Sequence, residues 1–174
     1  IRFTSFTDDW EEISFKKLFV GLINNSLSRE KLNYYSGKAK NIHYGDILIK
    51  YQNVVDVQKE VIPYITENEF VEQNRKSNLI NGDIIFADAA EDSAVGKCVE
   101  LTNVDNENIL AGLHTIAVRP QKDFAPKYLG YYLNSKSYHN QLLKLMQGTK
   151  VLSISKNSVR DTIIMYPKSR LEQQ

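Results

Sequence analysis

Residues 81–88 read Asn81-Gly82-Asp83-Ile84-Ile85-Phe86-Ala87-Asp88. Glycine tolerates the positive φ of a tight turn, aspartate can bond the backbone close by, and the apolar run that follows is rich in β-forming residues. The stretch therefore predicts a turn leading straight into a buried strand. The same Gly-Asp word opens Tyr44-Gly45-Asp46-Ile47-Leu48-Ile49-Lys50-Tyr51 and predicts a second strand of the same kind.

Outward from these two, Lys97-Cys98-Val99-Glu100-Leu101 and His114-Thr115-Ile116-Ala117-Val118-Arg119 alternate as strands do, the latter stopped by Pro120. Thr162-Ile163-Ile164-Met165-Tyr166 is a last strand, ended by Pro167. A short helix is expected from Asp8, as N-cap, to Phe19, with acids in its first turn. Pro126 at a first helical position starts another, carrying Tyr128, Leu129, Tyr132 and Leu133; residues 134–137 interrupt it. A further helix runs to about Met146, with Tyr138, Leu142, Leu145 and Met146 on one face and Gly148 in the place of a C′ glycine. Asn24 to Asn41 reads as a long loop or irregular hairpin, and Leu171 to Gln174 as the first turn of one more helix. Strands and helices mix without βαβ regularity, which defines the α+β class.

The chain has 174 residues, 42% hydrophobic and 25% charged, the composition of one folded domain. The single cysteine, Cys98, excludes an internal disulfide framework and fits a cytoplasmic protein. No apolar run is long enough to cross a bilayer. Ile1 in place of methionine and the Glu172-Gln173-Gln174 ending lead us to expect a segment of a longer chain. The net charge of +1 hides a polarised distribution. From Gln52 to Leu110 there are 12 acidic residues against 4 basic, a net of −8; from Phe124 to Leu171 eight cations face only Asp161, a net of +7. A basic, aromatic-bearing surface suits nucleic acid, and a solvated set of helix faces gives the same count.

Catalytic patterns are missing from the sequence. Its eight glycines are never closer than 8 residues apart, so neither a dinucleotide-binding nor a phosphate-cradling glycine loop is present. The three histidines, His43, His114 and His139, lie far apart, with no Cys or His at metal-ligand spacing. No Glu-x-Lys or Asp-x-Lys of the common nuclease arrangement occurs, nor the Asn-Pro-Pro-aromatic tetrapeptide of adenine methyltransferases. A binding module is favoured over an enzyme.

Several stretches, in order, resemble one target-recognition domain of the DNA-specificity subunits of type I restriction-modification systems. They are the entry from Arg2-Phe3 through Phe6 to Trp10-Glu11; Asn81 to Asp88; Val95-Gly96-Lys97; Ala111-Gly112-Leu113-His114-Thr115; Tyr128 to Ser135; Gly148-Thr149-Lys150-Val151-Leu152-Ser153-Ile154-Ser155-Lys156; and the final strand into Pro167. The resemblance implies a mixed, mainly antiparallel curved sheet with flanking helices. It assigns residues 1–167 to a recognition domain, by its entry the N-terminal one, and 168–174 to the start of a spacer helix. It also implies a domain that reads one half of a bipartite site in double-stranded DNA. Partners would be methyltransferase subunits, a restriction endonuclease subunit, and either a second recognition domain or a self-pairing copy. S-adenosylmethionine, ATP and Mg would be held by those subunits and no cofactor by this chain.

On that basis Lys150, Ser153, Lys156 and Arg160, around the Gly148 turn, are the first group expected to touch DNA. Lys38, Lys40, His43 and Tyr51, flanking the polar loop, form a second, and Lys97, His114 and Thr115 a third. Two other classes stay open: a protein-interaction module docking through the tyrosine-rich helices 126–146, and a recognition domain of a fused restriction-methylation enzyme.

Overall fold

The computed structural model describes residues 6–174, so Arg2-Phe3 of the entry stretch lies outside the described residues. In chain order these form β1 (Glu11–Ser14), α1 (Phe15–Leu18), β2 (Phe19–Gly21), β3 (Leu32–Asn33), β4 (Lys40–Ile42), α2 (Tyr44–Ile49), β5 (Val54–Asp56), β6 (Tyr64–Ile65), α3 (Asn68–Gln73), β7 (Ile84–Ala87), β8 (Ala89–Ala90), β9 (Cys98–Thr102), β10 (Ile109–Ala111), β11 (Thr115–Pro120), α4 (Tyr128–Leu133), α5 (Lys136–Leu143), β12 (Leu152–Ser153), β13 (Ile163–Tyr166) and α6 (Arg170–Gln173).

The stretch 81–88 is the centre of the molecule. Gly82 takes φ +84°, and β7 then runs between β11 and β9 in a five-stranded sheet of order β2-β11-β7-β9-β5. The β2-β11, β11-β7 and β7-β9 pairings are antiparallel and β9-β5 is parallel. Both faces of β7 are covered. Ile84 and Phe86 meet Leu129 and Leu133 of α4, Tyr138 and Leu142 of α5, and Phe15 and Leu18 of α1. Ile85 and Ala87 point the other way, to Ile42, Ile47, Tyr51 and Val55. The period-2 pleat thus divides one apolar run between two cores. A four-stranded sheet, β10-β4-β6-β3, lies beyond the second core, with β1-β13 and β8-β12 as separate ribbons. The architecture is α+β, mixed and antiparallel-rich with flanking helices, as expected, its strands among the described residues shared among four sheets.

Four expectations are corrected. The second Gly-Asp word forms helix α2, not a strand. His43 Nδ1 accepts from the Gly45 N–H as N-cap, and the Asp46 carboxylate is drawn to Arg29, whose Nη1 and Nη2 donate at 2.8 and 3.1 Å. The helix expected from Asp8 to Phe19 shrinks to the one turn α1, because Glu11–Ser14 pair with Ile163–Tyr166. Pro126 is not the first residue of α4: Lys127, with φ +75°, is its N-cap. Gly148 does not cap α5, which ends at Leu143. It has φ +115° and turns a small hairpin in which Gln147 and Ser153 bond reciprocally at 2.8–2.9 Å.

Asp83 is the anchor that the turn reading missed. At 0% exposure it accepts from the Ile80 N–H at 2.8 Å and, bidentately, from Arg119 Nε and Nη2 at 2.7 Å each. No helix among the described residues is long and apolar enough to cross a membrane.

Candidate nucleic-acid interface

The end of the central sheet opposite Gly82 gathers residues from distant parts of the sequence. Asp88, just after β7, joins two of them through three contacts. Its N–H donates to the His114 carbonyl, its carboxylate faces His114 Nδ1 at 3.2 Å, and its carbonyl accepts from Ile154 N–H. The last bond continues the β8-β12 ribbon, in which Ser153 pairs with Ala89, and so places the Gly148 hairpin beside the start of β11. Past Ile154 the chain bends through Ser155 and Ser158, whose hydroxyls and N–H groups bond one another, into the 3-10 turn Ser158–Asp161. Lys156 Nζ there donates to Asn24 Oδ1 at 2.9 Å. Lys156, Asn157 and Arg160 share with Lys16 the polar wall of a groove of about 400 Å³, with Phe19, Val20, Gly21 and Val118 among its other lining residues.

Lys150, Ser153, Lys156 and Arg160 are thus exposed along one strip that also carries His114. Lys150 stands at the tip of the hairpin, flanked by the exposed Thr149 and Val151. Several cations of the N-terminal half are matched to carboxylates, Arg29 to Asp46, Lys31 to Glu67, Lys38 to Glu72 and Lys40 to Glu107, while Lys17, Lys50 and Lys76, among the described residues, are not. Among the described residues Lys127, Lys136, Lys144, Lys150, Lys156 and Arg160 have no such carboxylate partner. Their field is directed to solvent, which suits a polyanion.

The second and third groups fare differently. Tyr51, 2% exposed, is a core residue, and burial pushes its phenol pKa upward; Thr115, 0% exposed, spends its hydroxyl on the Gly112 carbonyl at 2.7 Å. Neither presents a side chain to a ligand. Lys40 is buried over the Tyr64 ring and held by Glu107 at 2.9 Å, while Lys38 is exposed but bonded to Glu72 at 2.9 Å on the smaller sheet's side. Lys97 Nζ closes the C-terminal end of α2, donating to the Leu48 and Tyr51 carbonyls, and burial lowers its pKa. His43 is a buried cap whose pKa is lowered by burial and then by Arg29. It lies near the strip because its ring packs on Tyr44, which in turn meets His114 edge-on at 5.1 Å. Asn24, Lys16 and Tyr44 belong to the strip and were not singled out from sequence. Nothing local marks them, since each is placed by a contact with a residue far along the chain.

Several tyrosines serve the fold. Phe124, Tyr128 and Tyr132 stack at 5.9 Å steps, and the Tyr132 hydroxyl accepts from the Met165 N–H at 2.7 Å. A larger cleft of about 600 Å³ lies at the other end of the central strands, beside Gly82 and Arg119. Its arginines are already committed, Arg119 to Asp83 and Arg170 to Asp123. The described residues contain no cluster of three or more His, Cys, Asp and Glu able to hold a metal ion.

The fold is similar to that of part of the S subunits of type I restriction-modification systems. The chain is similar over 95% of its length to the S subunit of the type I system from M. genitalium, with TM-score 0.55 and 14% identity. It is similar over 97% to the HsdS subunit from Thermoanaerobacter tengcongensis, with TM-score 0.60 and 15% identity. A structure described for complex assembly and conformational transition of the type I R-M system matches over 97%, at TM-score 0.60 and 14% identity. The chain covers 35–36% of each of these chains, about a third of their length. No family model matches the sequence, and neither does any curated protein.

Proposed function

We propose that this chain is a DNA target-recognition domain that reads one half of a bipartite duplex site within a type I restriction-modification complex. Residues 1–167 form the reading domain and 168–174 begin a spacer helix. The observation that carries the reading is the strip of carboxylate-free cations, Lys150, Lys156 and Arg160, on a fold shared with specificity subunits. These cations grip phosphates and give sequence-blind, salt-sensitive affinity, while side chains on the adjoining turns meet base edges. The domain performs no chemistry itself. It brings the site to methyltransferase and restriction subunits, which hold S-adenosylmethionine, ATP and Mg, and works beside a second recognition domain or a self-pairing copy. Avidity from two such domains compensates for a modest affinity in each.

A protein partner is a second reading, favoured by the aromatic groove of about 410 Å³ lined by Trp10, Tyr128, Tyr131 and Tyr132. Selection from a pool of random duplexes at low salt separates the two. The recognition domain enriches a short asymmetric site, whereas a module for protein partners enriches none.

A further inference from the structure

We propose that His114 is a base-reading side chain of this strip and that Asp88 is its positioning residue; the assignment rests on the DNA-recognition reading above. His114 has φ +54°, a left-handed backbone conformation that L residues disfavour and glycine adopts without steric cost. A turn needing only that conformation is better served by glycine, so an imidazole at this position calls for a use. It is half exposed, yet it is held as few surface side chains are: by the Asp88 carboxylate at 3.2 Å and by the edge of the Tyr44 ring at 5.1 Å. The turn beneath it is fixed by the buried Thr115 hydroxyl bonding the Gly112 carbonyl. Rigid placement of an exposed polar group lowers the ordering cost of binding and confers specificity.

The carboxylate of Asp88 can only accept, so Nδ1 carries the proton it donates there. In the tautomer with its proton on Nδ1, Nε2 is an acceptor, without a partner among the described residues. In the major groove such an acceptor pairs with the exocyclic amino group of adenine or cytosine and not with the acceptor edge of guanine or the O4 of thymine. Its neighbours suit that role. Ser153 and Lys156 lie on the segment that the bond between Asp88 and Ile154 ties to this turn, and Lys156, bonded to Asn24, supplies the phosphate grip.

The test uses the 174-residue chain in duplex selection at pH 8 and low salt, followed by affinities for the selected duplex and for duplexes substituted at each position. The parent prefers adenine or cytosine at one position. In His114→Gly, which suits the backbone and holds the thermal midpoint, that ratio of affinities falls about fivefold, the worth of one hydrogen bond. Asp88→Ala reduces the ratio as well, while Asp88→Asn, which keeps an acceptor for Nδ1–H, retains it. An unaltered ratio in His114→Gly, or a loss of affinity equal for every duplex, overturns the assignment and leaves DNA recognition standing. Failure of the parent to bind duplex at all overturns both.

Discussion

Replacing Arg119 by alanine is expected to destabilise the domain by about 3 kcal/mol, through a carboxylate that lies away from the strip. Asp83 is fully buried and has three hydrogen-bond donors: the Ile80 N–H at 2.8 Å and two from the Arg119 guanidinium at 2.7 Å. Arg119→Ala removes both charged donors and leaves a buried carboxylate with one neutral N–H. Breaking a buried pair in this way costs about 3–5 kcal/mol, and the partial exposure of Arg119 puts the loss at the lower end. Against a total stability of about 5–15 kcal/mol this is a large fraction. In urea, with a slope of about 2 kcal/mol per M, the midpoint should fall by about 1.5 M. The double variant Asp83→Asn with Arg119→Met removes the buried charge, keeps an acceptor for Ile80, and should recover at least half of that loss. A drop below about 1 kcal/mol in Arg119→Ala would refute the reasoning, as would a double variant no more stable than the single.

Three further outcomes are expected. Glu100 is pushed up in pKa by burial, and both its oxygens accept from backbone N–H groups, Lys127 at 2.6 Å and Gly130 at 2.8 Å. Glu100→Gln must turn an NH₂ against one of those donors and should cost about 1–3 kcal/mol in urea unfolding. His43 has a folded pKa below its ordinary 6.5, so its contribution is full above pH 6.5 and is lost as pH falls through the lower folded value. His43→Asn, a cap that does not titrate, should flatten the acid side of the stability curve, and an unchanged slope would count against the cap. Gly148→Ala places a Cβ on a backbone with φ +115° and against the Val151 carbonyl. It should cost about 1–3 kcal/mol and strip hydrogen-exchange protection from the Gln147 and Ser153 amides.

The strands around Asn81–Asp88 were legible because an apolar run bounded by Gly, Asp and Pro is a local signal, and β7, β9, β11 and β13 all carry it. The same signal misled at Tyr44–Tyr51. An apolar run of three residues fits a helix as well as a strand, and what decided between them was Arg29, 17 residues before Asp46. The segment 8–19 likewise has helical spacing, and its conformation was decided by a strand some 150 residues later. For the candidate site, the basic C-terminal third was visible as composition, but its meaning was not. Which cations are neutralised depends on pairings such as Lys38 with Glu72 and Lys40 with Glu107, set only by the fold. Tyr51 and Thr115 read as polar groups near the surface and proved to be core residues, since burial follows from the second face of the central sheet.

Salt titration of duplex binding tests the central claim most directly. Each phosphate contact contributes about 0.9 to the slope of log affinity against log salt, so Lys150→Ala, Lys156→Ala and Arg160→Ala combined should lower the slope by about 2.7. Between 50 and 200 mM salt the parent should then lose about 40-fold more affinity than the triple variant. Equal slopes for the two proteins would contradict the claim that this strip is where the chain holds DNA.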